Sequence, residues 1–413
     1  MSTEDFYDEL ETRAPEAREA ALMAALSGKI ANAKARAPGF AALLEGVDPE
    51  AVDSRDALAA LPVLRKSELI ERQQAGPPFG GLSALSLGEV PRVFASPGPI
   101  FEPQGRRQNH WRLARALHAA GFRAGELVHN AFSYHLTPGG WMMDDAAQAL
   151  GCSVFPAGVG NSEQQAQAIA HLKPSAYSGT PDFLKVVLDK GAELGLDLSS
   201  ITKAIVSGGA LFPSLREDYA ERGVAVLQCY ATADLGLIAY ESPAKEGLIL
   251  DEEIIVEIVR PGTGEPLPEG EVGEVLVTTL DPDYPLIRFA TGDLSAILPG
   301  PSPCGRSAPR IKGWMGRADQ TTKVKGMFIH PSQVAQVLAR HPEIGRARLV
   351  VTREAESDQM ILQCEVEGGE LALAEAIAGS LQDVCKMKGG VEFYEPGSLP
   401  NDGKVIDDQR EYD

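Results

Sequence analysis

Arg306, Arg310, Lys312, Arg317, Lys323 and Lys325 crowd one short stretch of the chain, and Asp319 is the only acid among them. The full chain of 413 residues carries a formal charge of −20. Against that background, so dense a local excess of cations marks a surface that faces phosphate, unless it is a solvated basic loop. Ser207-Gly208-Gly209-Ala210 follows an apolar run. Glycines there let backbone approach a ligand closely, although tight turns also use them. Tyr230 ends another apolar run, as a ligand-facing ring or an ordinary core aromatic. Thr291-Gly292-Asp293 sets a carboxylate in what is otherwise a common turn. Other chemistries lack their signatures. No GxxxxGK(S/T), dinucleotide GxGxxG, GxSxG or HExxH pattern occurs, and the seven histidines form no ligand-spaced set.

These residues need a scaffold, and the periodicity supplies one. Residues 5–75 read as helical, and the segment Arg106–Ala120 reads as a helix stopped by Gly121. Short apolar runs at Leu127–Phe132, Ser153–Phe155, Ile201–Ser207 and Val224–Tyr230 alternate with helical stretches such as Ser162–His171 and Asp182–Gly195. That rhythm predicts an α/β domain with parallel strand pairs and helices on the faces of the sheet. From about residue 250 the pattern turns β-rich, with strands at Glu253–Val259 and Glu271–Leu280. Beyond about 320 it alternates again. Helices at Ser332–Arg340 and Leu371–Val384, with strands at Ala347–Arg353, Gln359–Val366 and Val391–Tyr394, predict a small α+β domain. The expected division is 1–318, with a β-rich subdomain at about 250–318, and 319–413.

Several blocks, taken in order, resemble the phenylacetate–CoA ligase family of adenylate-forming enzymes. Cys304-Gly305-Arg306, Gly316-Arg317-Ala318-Asp319, Lys325-Gly326 and Pro331-Ser332-Gln333 look like the family's hinge. The resemblance implies that Arg317 contacts the nucleotide and that Asp319 is the pivot of a mobile C-terminal domain. Arg288-Phe289-Ala290-Thr291-Gly292-Asp293 resembles the segment whose Asp holds the ribose, since a carboxylate can accept from both hydroxyls of a diol. Gln228-Cys229-Tyr230-Ala231-Thr232-Ala233-Asp234 resembles Tyr-Gly-x-(Ser/Thr)-Glu, in which the Tyr stacks on adenine, the hydroxyl meets the α-phosphate and the carboxylate helps hold magnesium. Gly208, Gly209 and Ala210 would line the adenine and acyl pockets. Lys404, in Gly403-Lys404, sits where the family's Lys drives adenylation, because a cation eases attack of a carboxylate on an anionic phosphate. Leu61-Pro62-Val63-Leu64-Arg65-Lys66 looks like the family's entry segment. Leu127–His135 followed by Gly139-Gly140 looks like its acyl-pocket border, with Tyr134 and His135 as pocket residues or as a packed aromatic pair.

The chain also departs from the pattern. Ala231, Ala233 and Asp234 replace Gly, the hydroxyl residue and Glu, which leaves Thr232 as the nearest hydroxyl. The phosphate loop, Ser-Gly-Thr-Thr-Gly with a following Lys in the family, reads Ser96-Pro97-Gly98-Pro99-Ile100. Two prolines remove N–H donors, so Ser96 and Gly98 remain as phosphate contacts. Ser178-Gly179-Thr180-Pro181 imitates the loop but opens a helix.

The resemblance implies an ATP- and Mg2+-dependent ligase. It would join a carboxylic acid, aryl or arylacetic by the family default, to CoA through an acyl-adenylate, and it would be a homodimer. The alternatives are an adenylating enzyme with a carrier-protein or amine acceptor, and a non-catalytic homologue that binds nucleotide or acyl-CoA. The acidic charge speaks against nucleic-acid and anionic-membrane partners. No apolar run approaches a membrane span, and the acidic start is unlike a signal peptide. Five widely spaced cysteines suit reduced thiols in a cytoplasm.

Overall fold

The computed structural model describes residues 5–96, 100–209, 211–324, 327–354, 357–400 and 404–410. The chain divides into two compact units. The first is Met1–Val259, Gly264–Thr291 and Ala296–Gly313; the second is Arg260–Thr263, Gly292–Ser295 and Trp314–Asp413. The continuous part of the second unit thus starts a few residues before Asp319.

In the N-terminal arm, the helix Pro15–Arg36 precedes strand β1 (Leu64–Arg65), and β2 (Val93–Ser96) pairs antiparallel with β3 (Ile100–Pro103). The alternating stretch then runs β4 (Leu127–Asn130), β5 (Ser153–Pro156), β6 (Ala176–Gly179), β7 (Lys203–Val206) and β8 (Ala225–Thr232), with one helix between each pair. These five strands pair in parallel in the order β5-β4-β6-β7-β8. The sheet continues antiparallel through β9 (Gly236–Glu241) and β10 (Leu248–Leu250). The central strands are largely apolar because successive side chains enter opposite cores. Ala204, Val206 and Val226 join helices Ser162–Leu172 and Pro181–Glu193 on one side, while Ile205 and Leu227 join Leu117 and Met143 on the other.

The β-rich stretch forms a second sheet from β11 (Ile254–Val259), β12 (Gly273–Thr279) and β13 (Phe289–Ser295), with β1 at its edge in the order β1-β13-β12-β11. Strands β11 and β12 pair antiparallel from Ile254↔Thr279 to Val259↔Glu274. Arg288 locks β1 to this sheet. Its guanidinium is buried, ion-paired to Glu257 at 2.9 Å, and donates to the carbonyls of Ala59 and Leu61 at 2.7 Å. Strands β14 (Ile297–Leu298) and β15 (Arg310–Ile311) complete the unit by extending the large sheet beyond β10.

One expected helix is much shorter than its periodicity suggests. Within Arg106–Ala120 only Ala114–Ala119 is helical. Asn109 and Arg112 take left-handed backbone conformations, with φ of 52° and 64°. That geometry turns the Arg112 guanidinium inward, where it donates to Asp251 at 2.8 Å and to the carbonyls of Leu235 and Leu237. Buried polar contacts outweigh the modest helix propensity here. The Gly121 stop forms as expected, with the N–H of Gly121 and of Phe122 donating to the carbonyls of His118 and Leu117.

In the second unit, hairpin β16 (Thr322–Val324) and β17 (Met327–Ile329) leads into the helix Pro331–Arg340. A capping box between His330 and Gln333 fixes the start of that helix. Strands β18 (Ala347–Glu354), β19 (Ser357–Glu365), β20 (Gly390–Tyr394) and β21 (Ile406–Asp408) form a sheet ordered β20-β19-β18-β21. Helices Pro331–Arg340 and Leu371–Cys385 bury Val334, Val337, Ile377 and Leu381 with Leu349 and Leu362 of this sheet.

Candidate active site

Ligands of open α/β sheets gather at the carboxyl ends of parallel strands, and the expected residues of the first unit lie there. The loop after β7 carries Gly208, whose φ of 73° is a conformation that suits glycine. A Cβ at Gly208 would lie 3.9 Å from both Phe132, after β4, and Thr180, after β6. The ends of three strands therefore meet at Gly208. Gly209 follows against Pro181, and Ser207 donates to the carbonyl of Cys229 at 2.8 Å, tying β7 to β8. Tyr230 sits near the end of β8, where the pairing with β9 shifts register. Its hydroxyl donates to Thr291 Oγ1 at 3.3 Å. Thr232 accepts from the N–H of Leu235 at 3.2 Å, so its hydroxyl shapes the β8–β9 turn. Half-buried Ala231 lies between Tyr230 and Thr232.

Tyr134 and His135 part company. The Tyr134 hydroxyl donates to Asp144 at 2.9 Å and accepts from Asn130 at 2.7 Å, and its ring meets Trp141 edge-on at 5.4 Å. Burial, with the Asp144 charge, pushes this phenol well above its ordinary value. His135 is exposed. The packed aromatic partner of Tyr134 is Trp141.

Between β2, β3 and the β8–β9 turn lies a charged cluster. Ser96 donates to Glu102 Oε1 at 2.6 Å, and Lys66 donates to Asp234 Oδ2 at 2.5 Å. Glu102 is buried against Asp234. Burial, and then the Asp234 charge, push the Glu102 carboxyl up to about 9. A cavity of about 10 Å³, room for one water, borders Asp234, Asp281 and Tyr284. Among the described residues, no group of three or more His, Cys, Asp or Glu is arranged to hold a metal ion.

The second unit brings Asp293 and Arg317 together. Asp293 accepts from Arg317 and from the indole of Trp314, each at 3.1 Å. Gly292 makes room: with φ of 75°, a Cβ there would lie 2.7 Å from the Arg317 guanidinium. Asp319 lies in the single turn Ala318–Gln320 that follows Arg317. Lys404 is exposed and donates to Asp407 at 2.9 Å. Gly98 and Ala210 lie outside the described residues.

The basic block does not act as one surface. Arg306 is buried and ion-paired to Glu11 at 3.0 Å, and Arg310 donates to the carbonyls of Glu246 and Pro301. Both cations hold the first unit together. Sequence reasoning assigned no role to Lys66 or Glu102. Lys66 was visible in the entry segment, whereas Glu102 lies beyond the Ser96–Ile100 stretch and carries no motif of its own.

Residues 145–280 match the family model for AMP-binding enzymes, and residues 326–410 match that for the AMP-binding enzyme C-terminal domain. The two matches define the class as an AMP-binding enzyme carrying its C-terminal domain. The chain is 31% identical to a phenylacetate–coenzyme A ligase of Thermus thermophilus, covering 96% of each sequence. It is 30% identical to one of Escherichia coli, covering 79% of this chain and 77% of the relative. Among solved structures, an open conformation of 2-hydroxyisobutyryl-CoA ligase with 2-HIB-AMP and CoA matches with a TM-score of 0.84 at 26% identity, covering 96% and 93% of the two chains. This chain belongs to the phenylacetate–coenzyme A ligase family and is an AMP-forming acid–coenzyme A ligase.

Proposed function

We propose that this ligase activates an aryl or arylacetic acid with Mg-ATP and transfers the acyl group to the thiol of CoA. The observation that carries the reading is the meeting of the carboxyl ends of β4, β6, β7 and β8, where Gly208 and Tyr230 stand in the family's order. Phe132 and Tyr134 make the nearby walls aromatic. The acid attacks the α-phosphate and expels pyrophosphate; the thiol then displaces AMP. Lys404 is assigned to the first half-reaction, where its ammonium offsets charge on the phosphate. Asp293 and Arg317 are assigned to the ribose and nucleotide, Gly209 and Thr232 to the nucleotide pocket, and Asp319 to the pivot between the two halves.

Magnesium is the cation this chemistry uses, and it would neutralise phosphate charge. Asp234 suits it, because Oδ1 is a buried oxygen with no hydrogen-bond partner among the described residues. A homodimer in a reducing cytoplasm belongs to the same reading and fits five free cysteines. Incubation with ATP, Mg2+, CoA and a panel of aryl, arylacetic and short-chain acids tests it. The expected products are an aryl or arylacetyl thioester and AMP. Turnover only with a carrier-protein thiol or an amine would move the acceptor. Pro97 and Pro99 favour a second reading, a nucleotide binder without turnover. Nucleotide binding with no product from any acid would select it.

A further inference from the structure

Two donors of different kinds meet on Asp293 Oδ1. The Arg317 guanidinium and the Trp314 indole both donate to it, each at 3.1 Å. All three residues belong to the second unit. The backbone holds them in register. Asp293 and Arg317 face each other in an antiparallel bridge. Beside that bridge the N–H of Leu294 donates to the carbonyl of Gly316 at 2.8 Å, and the N–H of Met315 to the carbonyl of Leu294 at 2.9 Å. The Asp293 side chain is only 13% exposed. Trp314 is 57% exposed, so core packing does little to fix its ring, and the hydrogen bond to Asp293 is its polar anchor.

The two donors serve the carboxylate differently. A guanidinium offsets its charge, and the exposed end of Arg317 can turn to an arriving phosphate or hydroxyl because water screens it. An indole N–H is neutral and can only donate. It fixes the carboxylate without cancelling its charge, and a charged acceptor makes the stronger bond to a hydroxyl. An acceptor already held in place also spares the ligand the cost of ordering it. We infer that Trp314 is a positioning residue for the nucleotide ribose: its indole N–H holds the Asp293 carboxylate in place while Arg317 changes partner as nucleotide binds. Trp314 thus acts through Asp293, and the inference rests on the assignment of Asp293 to the ribose made above.

Calorimetry of the full-length protein with AMP and with dideoxy-AMP, which lacks both ribose hydroxyls, tests this directly. The wild-type protein should bind AMP about tenfold or more tightly than dideoxy-AMP. Trp314→Phe keeps a ring at this exposed position and removes the N–H. It should weaken AMP binding by about fivefold and leave dideoxy-AMP binding unchanged, so that the preference shrinks. A merely structural role for the ring would weaken both nucleotides alike. Trp314→Gln places an amide N–H the same number of bonds from the backbone and should keep more of the preference than Trp314→Phe. Equal weakening of both nucleotides, or a preference that Trp314→Phe leaves intact, overturns the assignment of Trp314 and leaves Asp293 with the ribose. A wild-type protein that binds AMP and dideoxy-AMP equally well removes Asp293 from the ribose, and this inference with it.

Discussion

Two charged clusters, one in each unit, balance their charges in different ways. In the second unit Asp293 faces Arg317, one carboxylate against one guanidinium, and the Arg317 side chain is 39% exposed. In the first unit Lys66 pairs with Asp234, Glu102 packs beside them, and both carboxylates are buried. A pair with one well-exposed partner can exchange that partner for a ligand at modest cost, because water screens the exposed charge. A buried cluster cannot, since each group depends on the others for the loss of hydration. The Asp293–Arg317 pair is therefore open to a new partner, and the Lys66 corner is a fixed electrostatic frame that must be balanced whether or not nucleotide is bound.

Variants can break or sharpen that contrast. The largest effect is expected outside both clusters. Lys404→Ala should slow acyl-adenylate formation by about a hundredfold or more while sparing thioester formation from supplied acyl-adenylate. Rapid-quench assays of each half-reaction read this, and equal losses in both would argue against the division of labour. Lys66→Ala strands the Asp234 carboxylate and should destabilise the first unit by about 3 kcal/mol, whereas Arg317→Ala should cost about 1 kcal/mol or less. Urea unfolding of the two variants compares them, and similar losses would erase the contrast. Asp293→Asn should weaken AMP binding by about tenfold with little change in unfolding midpoint; an unchanged affinity would remove Asp293 from the nucleotide.

The smallest effect concerns pH. Burial alone would raise the Asp281 carboxyl, but His110, with its Nδ1 at 3.2 Å, and the backbone N–H groups of Tyr284 and Asp283 hold it well below its ordinary value. A carboxyl depressed in the folded state contributes stability above its unfolded value, about pH 4, and loses it as pH falls. Unfolding midpoints should therefore drop as pH falls below about 4, and Asp281→Asn should flatten that drop.

The inner parallel strands β4, β6 and β7 were legible because both of their faces are buried, which writes an apolar run into each one. Asp293 and Arg317 each stand in a short block that the order of the chain singles out, and the structure pairs their side chains. The corner of Lys66, Glu102 and Asp234 was not legible. Its members are far apart in sequence, and neither the pairing of Lys66 with Asp234 nor the burial of Glu102 leaves a periodic trace. The basic block misled for a related reason. Charge counted along the chain cannot tell Arg306, spent on Glu11, from Arg317, which stays half-exposed. The truncated helix at Arg106–Ala120 failed where Arg112 turned inward to partners more than a hundred residues away.

Acid-dependent exchange of labelled pyrophosphate into ATP tests the central claim most directly, because it asks whether this altered phosphate corner still supports adenylation. Exchange that requires Mg2+ and an aryl or arylacetic acid is the predicted result. A folded protein that binds AMP yet exchanges no pyrophosphate with any acid in the panel would contradict it.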